Sequence, residues 1–393
     1  MTPSTALKIV TVIGARPQMI KAAAISRSIR GHFSKEITEV LVHTGQHYDR
    51  NMSQVFFDEL GIPKEKYNLE TGSGSHAEQT AKMMIAIEKV LLEEQPDALL
   101  VYGDTNSTLA ACLVASKLFI PIIHVESGVR SYNKLYPEEV NRIICDHLSA
   151  LLFVPSVAGM KSLELENIAH RATENGSADY NKQGVYLTGD IMYDNTLHFA
   201  GVAASGAEKI NSKYGLPEDF ILLTMHRPSN VDTQETLLDI LTGIRTVSVS
   251  SGKQIVFPVH PRTKAIIDTD DALKSLIASF AIQLIPPVSF IEMIHLESTA
   301  SVVVTDSGGV QKEAYFLGKP CLIMLDETPW SELVDSGTAI LVGNSGQKIV
   351  SAYETLVNRQ LTFDTTLYGD GKASEFIVAK ILEHLKPAAM KKS

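Results

Sequence analysis

Residues 7–21 read LKIVTVIGARPQMIK. The run from Leu7 to Ile13 is apolar without alternation, so a strand built from it is covered on both faces, as in a parallel sheet flanked by helices. Gly14 interrupts it, and a helical period then carries from Met19 to Arg30. Strand, glycine turn and helix together form the opening unit of an α/β domain. The same grammar repeats along the chain. TEVLVH (38–43), DALLVY (97–102), PIIHVE (121–126), ALLFVP (150–155) and GVYLT (184–188) complete a first set of strands. DFILLTM (219–225), QIVFPV (254–259), IQLI (282–285), SVVVT (301–305), CLIML (321–325) and TAILV (338–342) form a second. Helix-period segments at His76–Glu94, Ser107–Leu118, Glu138–Leu148, Thr233–Val247, Gly309–Leu317 and Ala373–Leu385 alternate with them. The pattern predicts two doubly wound α/β domains with a seam near Gly189–Ala204. The polar loops Thr71–Ser75 and Ala172–Gly184 are candidate mobile segments, and no internal repeat or low-complexity tract interrupts the pattern.

Composition agrees. A chain of 393 residues exceeds what one core usually supports, and 45% apolar with 20% charged residues excludes a disordered or fibrous protein. The formal net charge of −10 argues against a broad nucleic-acid-binding surface, while leaving room for a few cations in a cleft. Cys112, Cys145 and Cys321 lie far apart in apolar surroundings, which suits a reducing compartment. Leu7–Ile13 is too short for a signal-peptide core, and no stretch approaches the roughly 18 apolar residues of a membrane span. The expectation is a soluble, cytoplasmic protein that binds neither nucleic acid nor membrane.

Ligands of open parallel sheets bind outside the carboxyl ends of the strands. There the chain carries Gly14-Ala15-Arg16-Pro17, Thr44-Gly45-Gln46-His47, Gly103-Asp104-Thr105 and Glu126-Ser127-Gly128-Val129-Arg130. The second half carries His226-Arg227, His260-Pro261-Arg262, Asp306-Ser307-Gly308-Gly309 and Asp326-Glu327-Thr328. Any one could be a helix cap; eight on the edges of two sheets point to a polar, titratable cleft between two domains. Ser307-Gly308-Gly309 opens a helix, where small residues admit a ligand to free backbone amides, and Glu313 follows in position to accept from ribose hydroxyls. A capped turn with Ser307 as N-cap is the plain alternative. Arg16 and Arg227, on opposite halves, could each meet a diphosphate. Neither GxGxxG nor GxxxxGK[ST] occurs. Asp104 and Glu126 each follow a buried strand, where an unpaired carboxylate is costly, and carboxylates gathered with partial burial acquire the split pKa values of acid/base catalysis. Glu138 and Glu139 follow Pro137, so helix-dipole stabilisation also accounts for them. The histidines lack metal spacing: His43 and His47 have no acidic or thiolate partner. The DTDD at 268–271 reads as solvated surface, so no metal is expected.

Taken together, GARPQMIK (14–21), TGQH (44–47), VYGDTNST (101–108), HVESGVR (124–130), PEEVNR (137–142), TGD (188–190), TMHRPSN (224–230), PVHPRT (258–263) and TDSGGVQKEA (305–314) resemble the non-hydrolysing UDP-N-acetylglucosamine 2-epimerase family, in order and over nearly the whole chain. The resemblance implies a glycosyltransferase-B-like pair of Rossmann-like domains. The first covers 1–190 plus a returning C-terminal helix in 373–393, and the second, UDP-binding, covers 191–372. It implies a UDP-sugar substrate, no cofactor, a homodimer and a role in making surface-polysaccharide precursors. The chemistry implied is anti-elimination of UDP to a 2-acetamidoglucal, then re-addition with inverted C2. By this resemblance Asp104, Glu126 and Glu138 handle protons around C2 and the departing oxygen, and His226 assists near the diphosphate. Arg16, Lys21 and Arg142 are site cations; Ser307, Gly308, Gly309 and Glu313 bind UDP; Gln46 and His260 line the cleft. QKEA (311–314), the Trp330-x-Glu332-Leu333 stretch and LYGDGKAS (367–374) are most similar to the subgroup acting on UDP-2,3-diacetamido-2,3-dideoxyglucuronic acid. QHYDRNM (46–52) departs from the loop that helps form an allosteric UDP-sugar site in many members, so that regulation is not expected here. A glycosyltransferase of the same architecture, needing an acceptor, and a non-catalytic UDP-sugar sensor are the alternatives.

Overall fold

A computed structural model describes residues 6–45, 59–168 and 183–385. Its first sheet contains β1 (Leu7–Ile13), β2 (Ile37–His43), β3 (Tyr67–Asn68), β4 (Ala98–Tyr102), β5 (Ile122–Val125), β6 (Leu151–Val154) and β7 (Gly184–Leu187). The second contains β8 (Phe220–Thr224), β9 (Gln254–Pro258), β10 (Ile282–Ile285), β11 (Val302–Thr305), β12 (Cys321–Ile323) and β13 (Ala339–Leu341). All twelve expected runs form strands. The thirteenth, β3, is two residues long and pairs through Val42↔Tyr67 and His43↔Asn68, too short to leave a periodic signal.

Strand order is 3-2-1-4-5-6-7 in the first sheet and 10-9-8-11-12-13 in the second, with parallel pairing throughout. Both orders reverse once, between β1 and β4 and between β8 and β11, and each reversal opens a crevice at the carboxyl ends. The sheets are Rossmann-like and the fold is glycosyltransferase-B-like. Gly14 lies at the first reversal because nothing larger fits: a Cβ there would stand 2.1 Å from Ser107 Oγ and 2.2 Å from Thr44 Oγ1.

The chain divides into two compact units, Met1–Asn195 with Thr366–Ser393, and Thr196–Thr365. Within the first, helix Ala373–Leu385 packs against helix Arg16–His32. Asp194 accepts from Ala373 N at 3.0 Å and Ser374 N at 2.7 Å, Asp190 N donates to Tyr368 O at 2.8 Å, and Tyr186 OH meets His384 Nε2. An added Cβ on Gly189 (φ +80°) would lie 2.5 Å from Tyr368 O. The TGD and LYGDGKAS motifs thus stitch the returning segment to the unit.

The loop Thr71–Ser75 is anchored rather than loose. Thr71 N and Oγ1 both donate to Thr44 O, at 3.0 and 2.7 Å, and Gly72 O accepts from Gln79 Nε2 at 3.0 Å. Residues 172–182 and 46–52 lie outside the described residues. Among the described residues no helix is long and apolar enough to cross a membrane.

Candidate active site

At the first reversal Gln18 is fully buried and ties the strand ends together. Its Oε1 accepts from Gly14 N at 2.8 Å and Ala15 N at 3.1 Å, while its Nε2 donates to Tyr102 O and Thr108 Oγ1, both at 2.9 Å. That bracket fixes the start of helix Arg16–His32 against the end of β4. Arg16 is exposed in the first turn, and Lys21 lies buried one turn further on, its ammonium on the Glu126 carboxylate. Glu126 itself takes a left-handed backbone (φ +66°), a conformation costly for a residue with a side chain and kept where its surroundings over-determine it. The Gly103 turn (φ +60°) passes close by: a Cβ there would stand 3.0 Å from Glu126 Oε2 and 3.2 Å from Lys21 Nζ.

Asp104, one residue on, pairs with Arg142 of helix Pro137–Leu148. Arg142 also donates to Glu139 Oε2 at 3.1 Å. Burial opposes the guanidinium charge, but Asp104, Glu139 and Glu126 outweigh it and hold Arg142 above its ordinary value. Asn141 Nδ2 adds a 2.8 Å bond to Asp104 O. Of the acid pair, Glu138, named by the resemblance, is exposed at the helix start, and Glu139 is the one that joins this network. Glu139 accepts from Ser131 N and Tyr132 N, each at 2.9 Å. Burial works against its ionisation, and those backbone donors with Arg142 overcome it, lowering its pKa. Consecutive positions on a helix differ by about 100°, so only one of the two acids can face the 131–132 turn.

Beneath these turns is a buried cluster that sequence spacing did not reveal. His124 on β5 meets Asp146 Oδ1 through Nδ1 at 2.7 Å and Gly103 O through Nε2 at 2.8 Å. Asp146 Oδ2 accepts from Gly128 N at 3.0 Å and pairs with Arg130 Nη2 at 2.7 Å. Arg130 also forks onto Glu166 at 2.7 and 2.8 Å.

In the second unit the corresponding organiser is Asp306, fully buried at the end of β11. It accepts from His226 N at 3.0 Å, Arg227 N at 2.9 Å and Asn230 Nδ2 at 3.0 Å, and pairs with His226 Nδ1 at 2.8 Å. Burial raises its pKa, but these donors outweigh it and keep Asp306 below the usual carboxylate range. The Asp306 hydrogen bond raises His226 against burial. Ser307 stands at the N-cap position of helix Gly308–Phe316, yet its side chain makes no capping bond, so the capped-turn alternative is not realised. Gly309 is exposed, with nothing nearer to an added Cβ than Ser307 Oγ at 4.0 Å. Glu313 is buried on that helix, facing the carboxyl of Glu297. Burial first, and then the Glu313 charge, push Glu297 well above the carboxylate range.

His260 is exposed after β9, and its Nδ1 accepts from Arg262 N at 3.3 Å, so it caps helix Pro261–Thr269. Lys312 is buried, with Nζ 3.8 Å from the centre of the Trp330 ring. Gln46 lies outside the described residues, as does His47. Among the described residues no three His, Cys, Asp or Glu gather as a metal site. Asp270 of the DTDD stretch caps Leu273 N at 2.9 Å, and Asp268 and Asp271 pair with exposed lysines. Chemically, the first unit presents carboxylates against cations at adjacent strand ends. The second presents a half-open histidine beside amides at a helix start, an arrangement that can hold an anion.

Comparison with known proteins bears on both clusters. The sequence model of the UDP-N-acetylglucosamine 2-epimerase family matches residues 31–382. A UDP-2,3-diacetamido-2,3-dideoxy-D-glucuronate 2-epimerase of Pseudomonas aeruginosa is 42% identical over 381 residues, 96% of this chain and 99% of its own. A UDP-N-acetylglucosamine 2-epimerase of Methanocaldococcus jannaschii is 40% identical over 375 residues, 95% of this chain and 98% of its own. The crystal structure of the M. jannaschii UDP-GlcNAc 2-epimerase in complex with UDP-GlcNAc and UDP superposes with a TM-score of 0.81 at 39% identity, covering 95% of this chain and 99% of that one.

Proposed function

The chain belongs to the UDP-N-acetylglucosamine 2-epimerase family, and from that premise we propose that it inverts C2 of a UDP-2-acetamido sugar, UDP-2,3-diacetamido-2,3-dideoxyglucuronic acid in particular. The subgroup reading is supported by the Pseudomonas aeruginosa relative together with the QKEA and LYGDGKAS stretches. Its place would be the supply of precursors for surface polysaccharide.

The observation that carries the reaction is the pair of charged contacts at adjacent strand ends, Lys21 with Glu126 and Arg142 with Asp104. In the forward step a base takes the C2 proton, the C2–H electrons form the C1=C2 bond, and the C1–O bond breaks with its electrons on UDP. In the return step UDP oxygen re-forms the bond to C1, and a proton arrives on the opposite face of C2. Two faces require two proton-handling groups, for which Asp104 and Glu126 are proposed; Glu138, exposed at its helix start, is the third candidate. The leaving diphosphate needs fixed donors where its charge develops, and we assign Arg16, His226, Ser307 and the Gly308–Gly309 amides to it, with Glu313 on the ribose. Gln46 and His260 are proposed to line the same site. The active assembly is proposed to be a homodimer in the cytoplasm, needing no redox cofactor.

The test is turnover of purified protein in D2O, without added NAD, metal or acceptor, followed by NMR. Deuterium at C2 of the inverted product is expected; full retention of the original hydrogen at C2 sinks the mechanism. A site built to hydrogen-bond a 3-acetamido group and a carboxylate rejects sugars lacking them, so kcat/KM for the diacetamido-uronate nucleotide should exceed that for UDP-N-acetylglucosamine by at least ~10²-fold. Equal turnover of the two rejects the specialised substrate while leaving the epimerase reading intact.

A further inference from the structure

The cluster of His124, Asp146, Arg130 and Glu166 lies beneath the carboxylates rather than among them. His124 and Asp146 are fully buried, and burying charge is unfavourable unless the geometry repays it. Its hydrogen bonds do not run at random. Gly103 O, held by His124 Nε2 at 2.8 Å, immediately precedes Asp104. Gly128 N, held by Asp146 Oδ2 at 3.0 Å, lies two residues beyond Glu126. In the segments it grips, Gly103, Glu126 and Gly128 all have left-handed backbones, at φ +60°, +66° and +76°, a conformation costly for Glu126 alone. Both proton positions on the ring are fixed by the partners. A carbonyl oxygen only accepts, so Nε2 carries hydrogen; Asp146, already accepting from Gly128 N and Arg130, accepts from Nδ1 as well. The ring is therefore an imidazolium locked between a carboxylate and a carbonyl.

We infer that His124 and Asp146 are positioning residues of the epimerase reaction: one buried imidazolium–carboxylate pair sets the separation of the Asp104 and Glu126 turns and thereby the register of the two proton-handling groups on C2. The inference rests on the assignment of Asp104 and Glu126 proposed above. The direction of the His124 pKa agrees, since burial opposes the charge but the Asp146 bond and charge raise it above the ordinary histidine value. Arg130, on the carboxylate oxygen of Asp146 that His124 does not hold, and Glu166, forked onto Arg130, complete the charge balance.

The experiment compares His124→Asn and Asp146→Asn with Asp104→Asn and Glu126→Gln, all in the full chain and at a temperature where circular dichroism shows each folded. A displacement of about 1 Å at the reacting groups costs on the order of 10²-fold, so kcat for C2 inversion should fall roughly 10- to 100-fold in His124→Asn and Asp146→Asn. KM and the dissociation constant for UDP should stay within about 3-fold, because the hydrogen bonds of His124 and Asp146 go to Gly103, Gly128 and Arg130 and not to the groups assigned to UDP. In the double variant His124→Asn/Asp104→Asn the effects should not multiply, since His124 acts through Asp104. Wild-type kcat in both positioning variants, with Asp104→Asn and Glu126→Gln inactive, overturns this inference and leaves the active-site reading standing. Parallel losses of kcat and UDP affinity, full multiplication in the double variant, or failure of both single variants to fold also overturn it, in favour of a purely structural cluster. Wild-type kcat in Asp104→Asn and Glu126→Gln removes the premise and this inference with it.

Discussion

Asp146 and Asp306 are both fully buried carboxylates holding a histidine, at 2.7 Å in the first unit and 2.8 Å in the second. Around Asp146 everything is sealed: His124 is wholly buried and spends both ring nitrogens on protein groups. Around Asp306 the side chain of His226 is 58% exposed, so its ring remains in contact with solvent and whatever occupies the site. The same chemical pair therefore has two uses, and exposure selects between them. A sealed imidazolium cannot exchange its proton during turnover and serves as a strut. An open one, its charge favoured by the aspartate behind it, can meet a developing negative charge.

The largest effect expected tests the chemistry that the sealed pair supports. Asp104→Asn and Glu126→Gln keep shape but remove proton transfer, and each should lower kcat by roughly 10²–10⁴-fold while UDP binding and the far-UV spectrum persist. Activity near wild type in both would return these residues to turn formation and dissolve the contrast with the second unit.

Next in size is the open pair. Asp306 raises His226, so in the native protein the imidazolium persists to higher pH than an ordinary histidine allows. The stabilisation that this interaction contributes is complete below the ordinary histidine pKa and is lost as pH rises through the raised one. Asp306→Asn lets His226 fall back, and the alkaline limb of the kcat–pH profile should move to lower pH, with a loss of about tenfold above neutrality. An unmoved limb would show that His226 takes no part as the charged form. In the first unit, Asp146→Asn should leave the position of that limb alone.

Two glycines sharpen the comparison at the backbone. Gly14→Ala forces a Cβ within 2.2 Å of both Ser107 Oγ and Thr44 Oγ1, an overpacking of about 1–3 kcal/mol that thermal unfolding would read. Gly309→Ala meets nothing within 3.9 Å of protein, so stability should hold. UDP affinity should nevertheless drop on the order of tenfold, about 1.4 kcal/mol, because a ligand approaches that backbone closely. A Gly309→Ala protein with undiminished UDP affinity would remove the helix start from the binding site.

How much of this was readable beforehand depended on whether the signal was local. Twelve strands announced themselves as apolar runs with a turn residue after each, and Asp104, Glu126 and His226 stood out because a strand end is recognisable in one dimension. β3 was missed because two residues carry no period. Glu138 came from the resemblance, while helix-start chemistry treats Glu138 and Glu139 alike; that Glu139 is the one bonded to the 131–132 turn needed the fold. His124 and Asp146 are 22 residues apart on different elements, and nothing in either segment names the other. Lys21 was read as a site cation, and its pairing with Glu126, 105 residues away, needed the fold. Local rules therefore located the groups, while the long-range pairs that tune them needed the fold.

The smallest effect expected concerns Lys312 of the QKEA stretch, whose ammonium could serve either the sugar's uronate or an internal contact. The structure favours the internal one. Lys312 is 2% exposed, and its Nζ stands 3.8 Å from the centre of the Trp330 ring, itself 8% exposed. A desolvated ammonium over an indole contributes about 0.5–2 kcal/mol, enough to hold Trp330 beside Gly308, whose Cβ position is 3.9 Å from the indole nitrogen. Lys312→Met keeps most of the apolar stem and removes the charge. If the ammonium only braces Trp330, the variant should melt a few degrees lower, as about 1 kcal/mol does in a domain of this size, with the preference between the diacetamido-uronate and N-acetylglucosamine nucleotides unchanged. A collapse of that preference, with stability intact, would instead return Lys312 to the uronate and place a substrate contact behind the indole.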